Sequence, residues 1–126
     1  MRRKPISIGQ RFPARWTRLA RSRIEADTFR KAIGKYGEAN QLIVLFEEMS
    51  ELQKEICKSF RYNRESLKDH IAEELADVEV MLEQTKMIYG IDEDGEGWRL
   101  DKVVRLRERL GMVDKFFSEE GETDDG

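Results

Sequence analysis

The segment EANQLIVLFEEMSELQKEICKSF, residues 38–60, decides the fold of this chain. Its apolar residues recur at intervals of three and four, the spacing that places side chains on one face of an α-helix. These residues are Leu42, Leu45, Phe46, Met49, Leu52, Ile56 and Phe60. The segment therefore predicts a long amphipathic helix from about Glu38 to Phe60.

A second helix of similar length is predicted beyond a short polar break. Residues 61–66 interrupt the apolar period, and Gly90 ends it as a C′ glycine. The residues that resume the period are Ile71, Leu75, Val78, Leu82, Thr85 and Tyr89. Two helices of matched length with a short connection favour an antiparallel hairpin, here Glu38–Phe60 followed by Leu67–Tyr89.

Two shorter helices are predicted outside the hairpin. The first has Asp27 as its N-cap and ends near Gly34 or Gly37. On the other side, residues 92–97 indicate a polar loop that precedes a final helix. The apolar residues of that helix are Leu100, Val103, Val104, Leu106, Leu110 and Met112. We expect an all-α fold in which the two shorter helices pack against the hairpin.

Length and composition limit the class of protein. A chain of 126 residues is long enough for one core of ordinary size. Its apolar runs are far shorter than the roughly 18 to 20 residues that cross a bilayer. The single cysteine, Cys57, cannot form an intramolecular disulfide or supply a cysteine-rich zinc site. We expect a cytoplasmic protein with no membrane span.

The net charge of −3 is distributed unevenly along the chain. Residues 1–31 hold ten Lys and Arg but only two acidic residues. Such a basic arm can contact nucleic acid, fold back onto the acidic body or form an unstructured leader. We expect a basic N-terminal extension over residues 1–24, one domain over residues 25–117 and an acidic disordered tail over residues 118–126.

Apolar residues exceed what four short helices can cover. Residues 42–46 are apolar around most of the helix, and residues 80–82 and 87–89 add second apolar faces to the second long helix. Phe60 and Trp98 are expected to pack in the core. Because surplus apolar surface usually marks an interface, we expect a homodimer or a dimer of dimers.

Both long helices also carry clustered acidic residues. Glu48 and Glu51 are three residues apart, as are Glu74 and Asp77, so each pair lies on one helix face. Both pairs border the apolar stripes that join the helices, where carboxylates are partly desolvated. A divalent cation relieves the resulting repulsion, but a solvated acidic face has the same spacing. The residues alone leave both interpretations open.

The order of these motifs resembles a known family. Glu47-Glu48-Met49-Ser50-Glu51-Leu52 followed by Glu74-Leu75-Ala76-Asp77 is similar to the ExxE…ExxD signature of the MazG-like all-α nucleoside triphosphate pyrophosphohydrolases. The flanking residues add to it: Tyr36-Gly37 with Gln41 before the first motif, Glu73 to Val78 around the second, and Lys102 to Leu110 after it. The resemblance runs from about Asp27 to Leu110.

The resemblance implies an oligomeric protein with a MazG-like four-helix bundle. The implied reaction is hydrolysis of a (deoxy)nucleoside triphosphate to its monophosphate and pyrophosphate, and the implied role is nucleotide-pool housekeeping. Glu48, Glu51, Glu74 and Asp77 would bind Mg²⁺, for which Mn²⁺ could substitute. Carboxylates that could orient the attacking water are Glu47 and Glu55. Cations that could bind substrate phosphate are Lys54, Lys58, Lys102 and Arg105.

The alternative function is a non-catalytic helical dimer that binds nucleic acid through its basic N-terminal arm. In that case the carboxylates are solvated surface, and DNA binding is sensitive to salt. In the enzymatic interpretation the partner is a nucleoside triphosphate, and we expect no nucleic-acid partner.

Overall fold

A computed structural model describes the backbone of residues 18–112 and the side chains of residues 22–112. Four α-helices and no β-strand are found in this part of the chain, which confirms the all-α prediction. They are α1 (Arg18–Tyr36), α2 (Glu38–Ser59), α3 (Arg64–Tyr89) and α4 (Asp92–Arg109). The chain divides into two compact units, Met1–Tyr89 and Gly90–Gly126, so α1 to α3 belong to the first and α4 to the second.

Glycines with positive φ separate the helices of the first unit from their neighbours. Gly37, with φ of 90°, lies between α1 and α2, and its N–H donates to the carbonyl of Ile33 at 2.9 Å. Gly90, with φ of 63°, follows the last residue of α3. These backbone conformations are costly for residues with a Cβ, so glycine ends each helix here as the sequence predicts.

The turn between α2 and α3 is shorter than the sequence suggests. Asn63 Oδ1 accepts a hydrogen bond from the backbone N–H of Glu65 at 3.0 Å, the contact that an N-cap side chain makes. Helix α3 therefore begins at Arg64, one turn before the predicted Leu67. Its C-terminal end at Tyr89 agrees with the prediction.

Helices α2 and α3 are antiparallel, as predicted. Successive residues of α2 lie next to residues of α3 with decreasing numbers. Gln41 bonds to Gln84, Glu48 lies near Asp77, and Glu55 lies near His70. The most buried apolar residues lie along this contact; they are Leu45, Val78 and Met81. Helix α1 contacts both α2 and α3.

Helix α1 begins earlier than the sequence analysis expects. Residues 18–24, assigned there to the basic N-terminal extension, are helical, and Asp27 lies inside α1 rather than at its N-cap. The Asp27 carboxylate is 3.7 Å from Lys31 Nζ, one turn further on. The remaining part of the expected extension, residues 1–17, and the expected acidic tail, residues 118–126, lie outside the described residues.

Helix α4 also begins earlier, because the expected loop over residues 92–97 is helical. Its first turn contains Asp92, Glu93 and Asp94, and negative charge at a helix N-terminus is stabilised by the helix dipole. Two glycines in this segment, Gly95 and Gly97, favoured the loop prediction, which is wrong.

Several apolar side chains are exposed to solvent. Phe60 and Trp98 are 76% and 62% exposed, so the prediction that they pack in the core is wrong for this chain taken alone. Phe46 and Tyr89 are also more than half exposed. None of the four helices of residues 18–112 is both long enough and apolar enough to cross a membrane.

Candidate metal centre

The two acidic motifs lie on different helices that face each other. Glu48 and Glu51 are in the middle of α2, and Glu74 and Asp77 are in the middle of α3. In an antiparallel pair, residues at equal distances from the connecting turn lie at the same level. The fold therefore brings both motifs to one level of the helix pair.

Three of these side chains form what we call the carboxylate cluster: Glu48, Glu74 and Asp77. Each offers one carboxylate oxygen, and these oxygens lie within 4.8 Å of one another. Glu48 and Glu74 are partly buried, and Asp77 is exposed. One cation could therefore contact all three residues from the solvent side. Glu51 is outside this group, although it is close enough to affect the pKa of two members.

The electrostatics of the carboxylate cluster are unfavourable without a cation. Burial raises the pKa of Glu48 above its ordinary value, and the negative charges of Asp77 and Glu74 raise it further. Burial also raises the pKa of Glu74, with added effects from Asp77 and Glu51. Each charged neighbour that shifts these two groups is itself acidic. Such a site attracts protons or a metal ion.

The donor chemistry fits a hard divalent cation. Carboxylate oxygens are the ligands that Mg²⁺ and Mn²⁺ prefer, and Mg²⁺ often binds through a few carboxylates while it keeps several waters. His70 is not part of the carboxylate cluster. The three oxygens could thus hold a metal ion and leave coordination positions open for a ligand.

The two predicted water-orienting carboxylates have different surroundings. Glu47 is exposed on α2, and its charge adds to the raised pKa of Glu48. Glu55 is buried and accepts a hydrogen bond from Lys58 Nζ at 3.1 Å. This bond lowers the pKa of Glu55, and the charges of Lys58, His70 and Lys54 lower it further. Glu55 is therefore a poor base, and its carboxylate is already bound to a cation.

The predicted phosphate-binding cations are divided between the two units. Lys54 is exposed on α2, and Lys58 pairs with Glu55 as described. Lys102 and Arg105 are on α4. Lys102 Nζ lies 5.8 Å from the centre of the Trp98 ring, and Arg105 Nε lies 3.1 Å from Asp101 Oδ2. Their roles in phosphate binding stay predictions.

One polar contact inside the helix pair was not predicted from the sequence. Gln41 Nε2 donates to Gln84 Oε1 at 2.6 Å, and both side chains are buried. Gln41 belonged to a flanking motif of the resemblance, but nothing indicated its partner. The available signal was the position of Gln84, which shares the buried face of α3 with Met81.

Comparisons with protein-family models, with curated proteins and with solved structures find no match for this chain.

Proposed function

We propose that this protein is a magnesium-dependent nucleoside triphosphate pyrophosphohydrolase with a MazG-like bundle. The observation that carries the proposal is the carboxylate cluster, in which Glu48, Glu74 and Asp77 converge from two helices within 4.8 Å. The motif order that resembles the family supplies the reaction, and the geometry supports a cation at the same residues.

The ligand set in this proposal is Glu48, Glu74 and Asp77, with Glu51 as a fourth carboxylate at the edge of the site. Support for including Glu51 comes from its charge, which raises the pKa of both Glu48 and Glu74. Mn²⁺ would serve as a substitute because it prefers the same oxygen donors.

An acidic site selects its substrate through the bound cation. A triphosphate is highly anionic, so carboxylates repel it unless a metal ion lies between them. Bound magnesium supplies neutralisation of the substrate phosphates and of the leaving pyrophosphate. This requirement favours a substrate with several adjacent phosphates over a neutral or cationic one.

The chain's own residues divide the remaining tasks. Glu47 is the better candidate to orient the attacking water, because its carboxylate is exposed and next to Glu48 in the chain. Glu55 is less suited, since Lys58 already occupies its carboxylate. Lys54, Lys102 and Arg105 are candidates to bind phosphate oxygens of the substrate.

A homodimer or dimer of dimers is part of the same proposal. Its support is the exposed apolar surface of α2 and α3, which includes Phe46, Leu75 and Tyr89, together with Phe60 directly after α2. Surface of this kind on a soluble chain usually indicates a protein interface.

The test is a panel of canonical and damaged ribo- and deoxynucleoside triphosphates incubated with the full chain and Mg²⁺. We expect metal-dependent release of the monophosphate and pyrophosphate, detected by ion-exchange chromatography. Release of inorganic phosphate from a triphosphate would contradict the proposed reaction. Salt-sensitive DNA binding without metal-dependent turnover would instead favour the alternative of a nucleic-acid-binding dimer.

A further inference from the structure

A buried hydrogen bond between two glutamines joins α2 to α3 away from the carboxylate cluster. Gln41 and Gln84 are 7% and 4% exposed, and Gln41 Nε2 donates to Gln84 Oε1 at 2.6 Å. Gln84 Nε2 in turn donates to Met81 Sδ at 3.6 Å. Leucine at both positions would bury more apolar surface, so the presence of two amides here calls for an explanation other than hydrophobic stabilisation.

The glutamines occupy the same helix faces as two members of the carboxylate cluster. Gln41 lies seven residues before Glu48 on α2, and Gln84 lies seven residues after Asp77 on α3. Seven residues are nearly two turns, so each pair of residues lies on one face of its helix. The Gln41–Gln84 bond and the approach of Glu48 to Asp77 therefore require the same register between the helices.

The apolar core alone defines this register weakly. Leu45, Val78 and Met81 are buried. Apolar packing is non-directional, so a slip of one helical turn, about 5 Å, can exchange one apolar contact for another. The same slip moves the two amides beyond hydrogen-bond distance and leaves both buried without a partner, which is strongly unfavourable. A single buried polar pair is known to select one register in packed helices.

We propose that the Gln41–Gln84 hydrogen bond sets the register of α2 against α3 and thereby positions Glu48 opposite Asp77 for metal binding. The two glutamines are positioning residues and do not contact the metal or substrate. The metal part of this inference rests on the proposed function, whereas the register part depends only on the helix pair.

The test compares the double variant Gln41→Leu/Gln84→Leu with Gln53→Leu, a matched change at an exposed position of α2. Spin labels at the exposed positions Ala39 and Ala72, which are far apart along the helix axes, report the register of the helices in a Cys57→Ser background of the full chain. Mn²⁺ affinity is measured on the same unlabelled variants by electron paramagnetic resonance, and stability by thermal melting.

We expect a single distance between the two spin labels in the parent and in Gln53→Leu. In the double variant we expect a second distance that differs by about 5 Å. If the competent register falls to about a tenth of the molecules, Mn²⁺ affinity falls about tenfold. The melting temperature should stay or rise, which separates this role from general stabilisation. Gln84→Glu keeps an acceptor for Gln41 Nε2 and should retain the single distance.

A single parental distance in the leucine double variant would overturn the register role. If that variant does not fold, the isosteric Gln41→Met/Gln84→Met variant decides the same question. Two distances with unchanged Mn²⁺ affinity would overturn the positioning role. An absence of Mn²⁺ binding in the parent would instead refute the proposed function, and the distance measurement would still decide the register.

Discussion

The carboxylate cluster is formed by α2 and α3, and the Glu55–Lys58 pair lies on α2 two turns after Glu48, yet the charges of the two places are balanced in opposite ways. At the cluster, Glu48 faces Glu74 and Asp77, and its pKa is raised. At the pair, Glu55 accepts a hydrogen bond from Lys58, and its pKa is lowered. Both glutamates occupy the face of α2 that packs on α3.

This difference shows what makes a group of acidic residues a candidate metal site. Spacing does not distinguish the two places, because Glu48 and Glu55 are seven residues apart on one helix face. The distinguishing feature is the source of positive charge. Lys58 supplies it to Glu55 from within the chain, whereas the charged neighbours that raise the pKa of Glu48 are acidic, so that a cation from solution could take that role.

The largest effect is expected when negative charge is removed from the carboxylate cluster. In the double variant Glu48→Gln/Asp77→Asn, shape is kept and two negative charges are lost. We expect metal affinity and turnover to fall together by orders of magnitude, because the remaining carboxylates bind the cation too weakly to offset its dehydration. Helicity by circular dichroism should persist, since repulsion is relieved.

The control for this variant is Glu79→Gln, which neutralises an exposed carboxylate on α3, the helix that carries Asp77. Parental turnover in the double variant, measured as pyrophosphate release, would show that the site is assigned to the wrong residues. A comparable loss in Glu79→Gln would point to a general effect of charge.

A second variant gives the carboxylate cluster a cation of its own. Glu51→Lys places an ammonium three residues after Glu48, the same spacing as Lys58 after Glu55. We expect Mn²⁺ affinity, measured by titration calorimetry, to fall by about tenfold or more while stability of the metal-free protein increases.

Two further variants separate the causes of that loss. Glu51→Gln removes the carboxylate without adding a cation and should weaken binding less. Gln53→Lys adds a cation at an exposed position beyond the carboxylate cluster. Unchanged Mn²⁺ affinity in Glu51→Lys would mean that the side chain at residue 51 does not reach the carboxylate cluster.

The helix pair could be predicted from the sequence because periodicity and glycine act locally. The apolar period fixed α2 within one residue, and the positive φ of Gly37 and Gly90 matches their predicted roles at helix ends. The start of α1 was missed because Asp27 was expected at its N-cap, and the start of α4 was missed because its first turn contains no apolar residue. The acidic first turn of α4 was a usable signal that two glycines outweighed.

The site was less predictable because it depends on contacts between helices. Acidic spacing identified the motif residues but could not show that the Glu51 carboxylate lies outside the cluster of Glu48, Glu74 and Asp77. It also could not show that Glu55 bonds to Lys58, two residues with separate predicted roles. Such pairing depends on which rotamers the packed helices permit.

A smaller effect is expected in the pH dependence of the metal-free protein. Because the pKa of Glu48 is raised on folding, its contribution to stability is fully present below the ordinary glutamate pKa and is lost as pH rises through the raised value. Glu48→Gln should therefore melt about 1 to 4 °C higher than the parent at pH 7. The difference should vanish as pH falls below the ordinary glutamate pKa.

The measurement is a series of thermal melts in EDTA from pH 7 to below the ordinary glutamate pKa. Parent and variant are compared at each pH, so that the effects of other carboxylates on the melting temperature cancel in the difference. A difference that grows as pH falls would contradict the raised pKa. Glu55→Gln is a useful contrast, because the pKa of Glu55 is lowered on folding. Its charged form contributes stability at pH values above the ordinary glutamate pKa, and this contribution is lost as pH falls through the lowered pKa.

The smallest effect is expected from removing the cation of the Glu55–Lys58 pair. Lys58→Gln leaves Glu55 without its hydrogen-bonded ammonium, so the pKa of Glu55 should rise. The melting temperature should fall by only about one or two degrees, because pairs three residues apart on a helix stabilise weakly.

If Lys58 serves mainly as the partner of Glu55, KM for the triphosphate should stay close to the parent value. Lys54→Gln, one turn earlier and exposed, is the matched control. A large rise in KM in Lys58→Gln alone would show that Lys58 leaves Glu55 to bind substrate phosphate, as the sequence analysis expects.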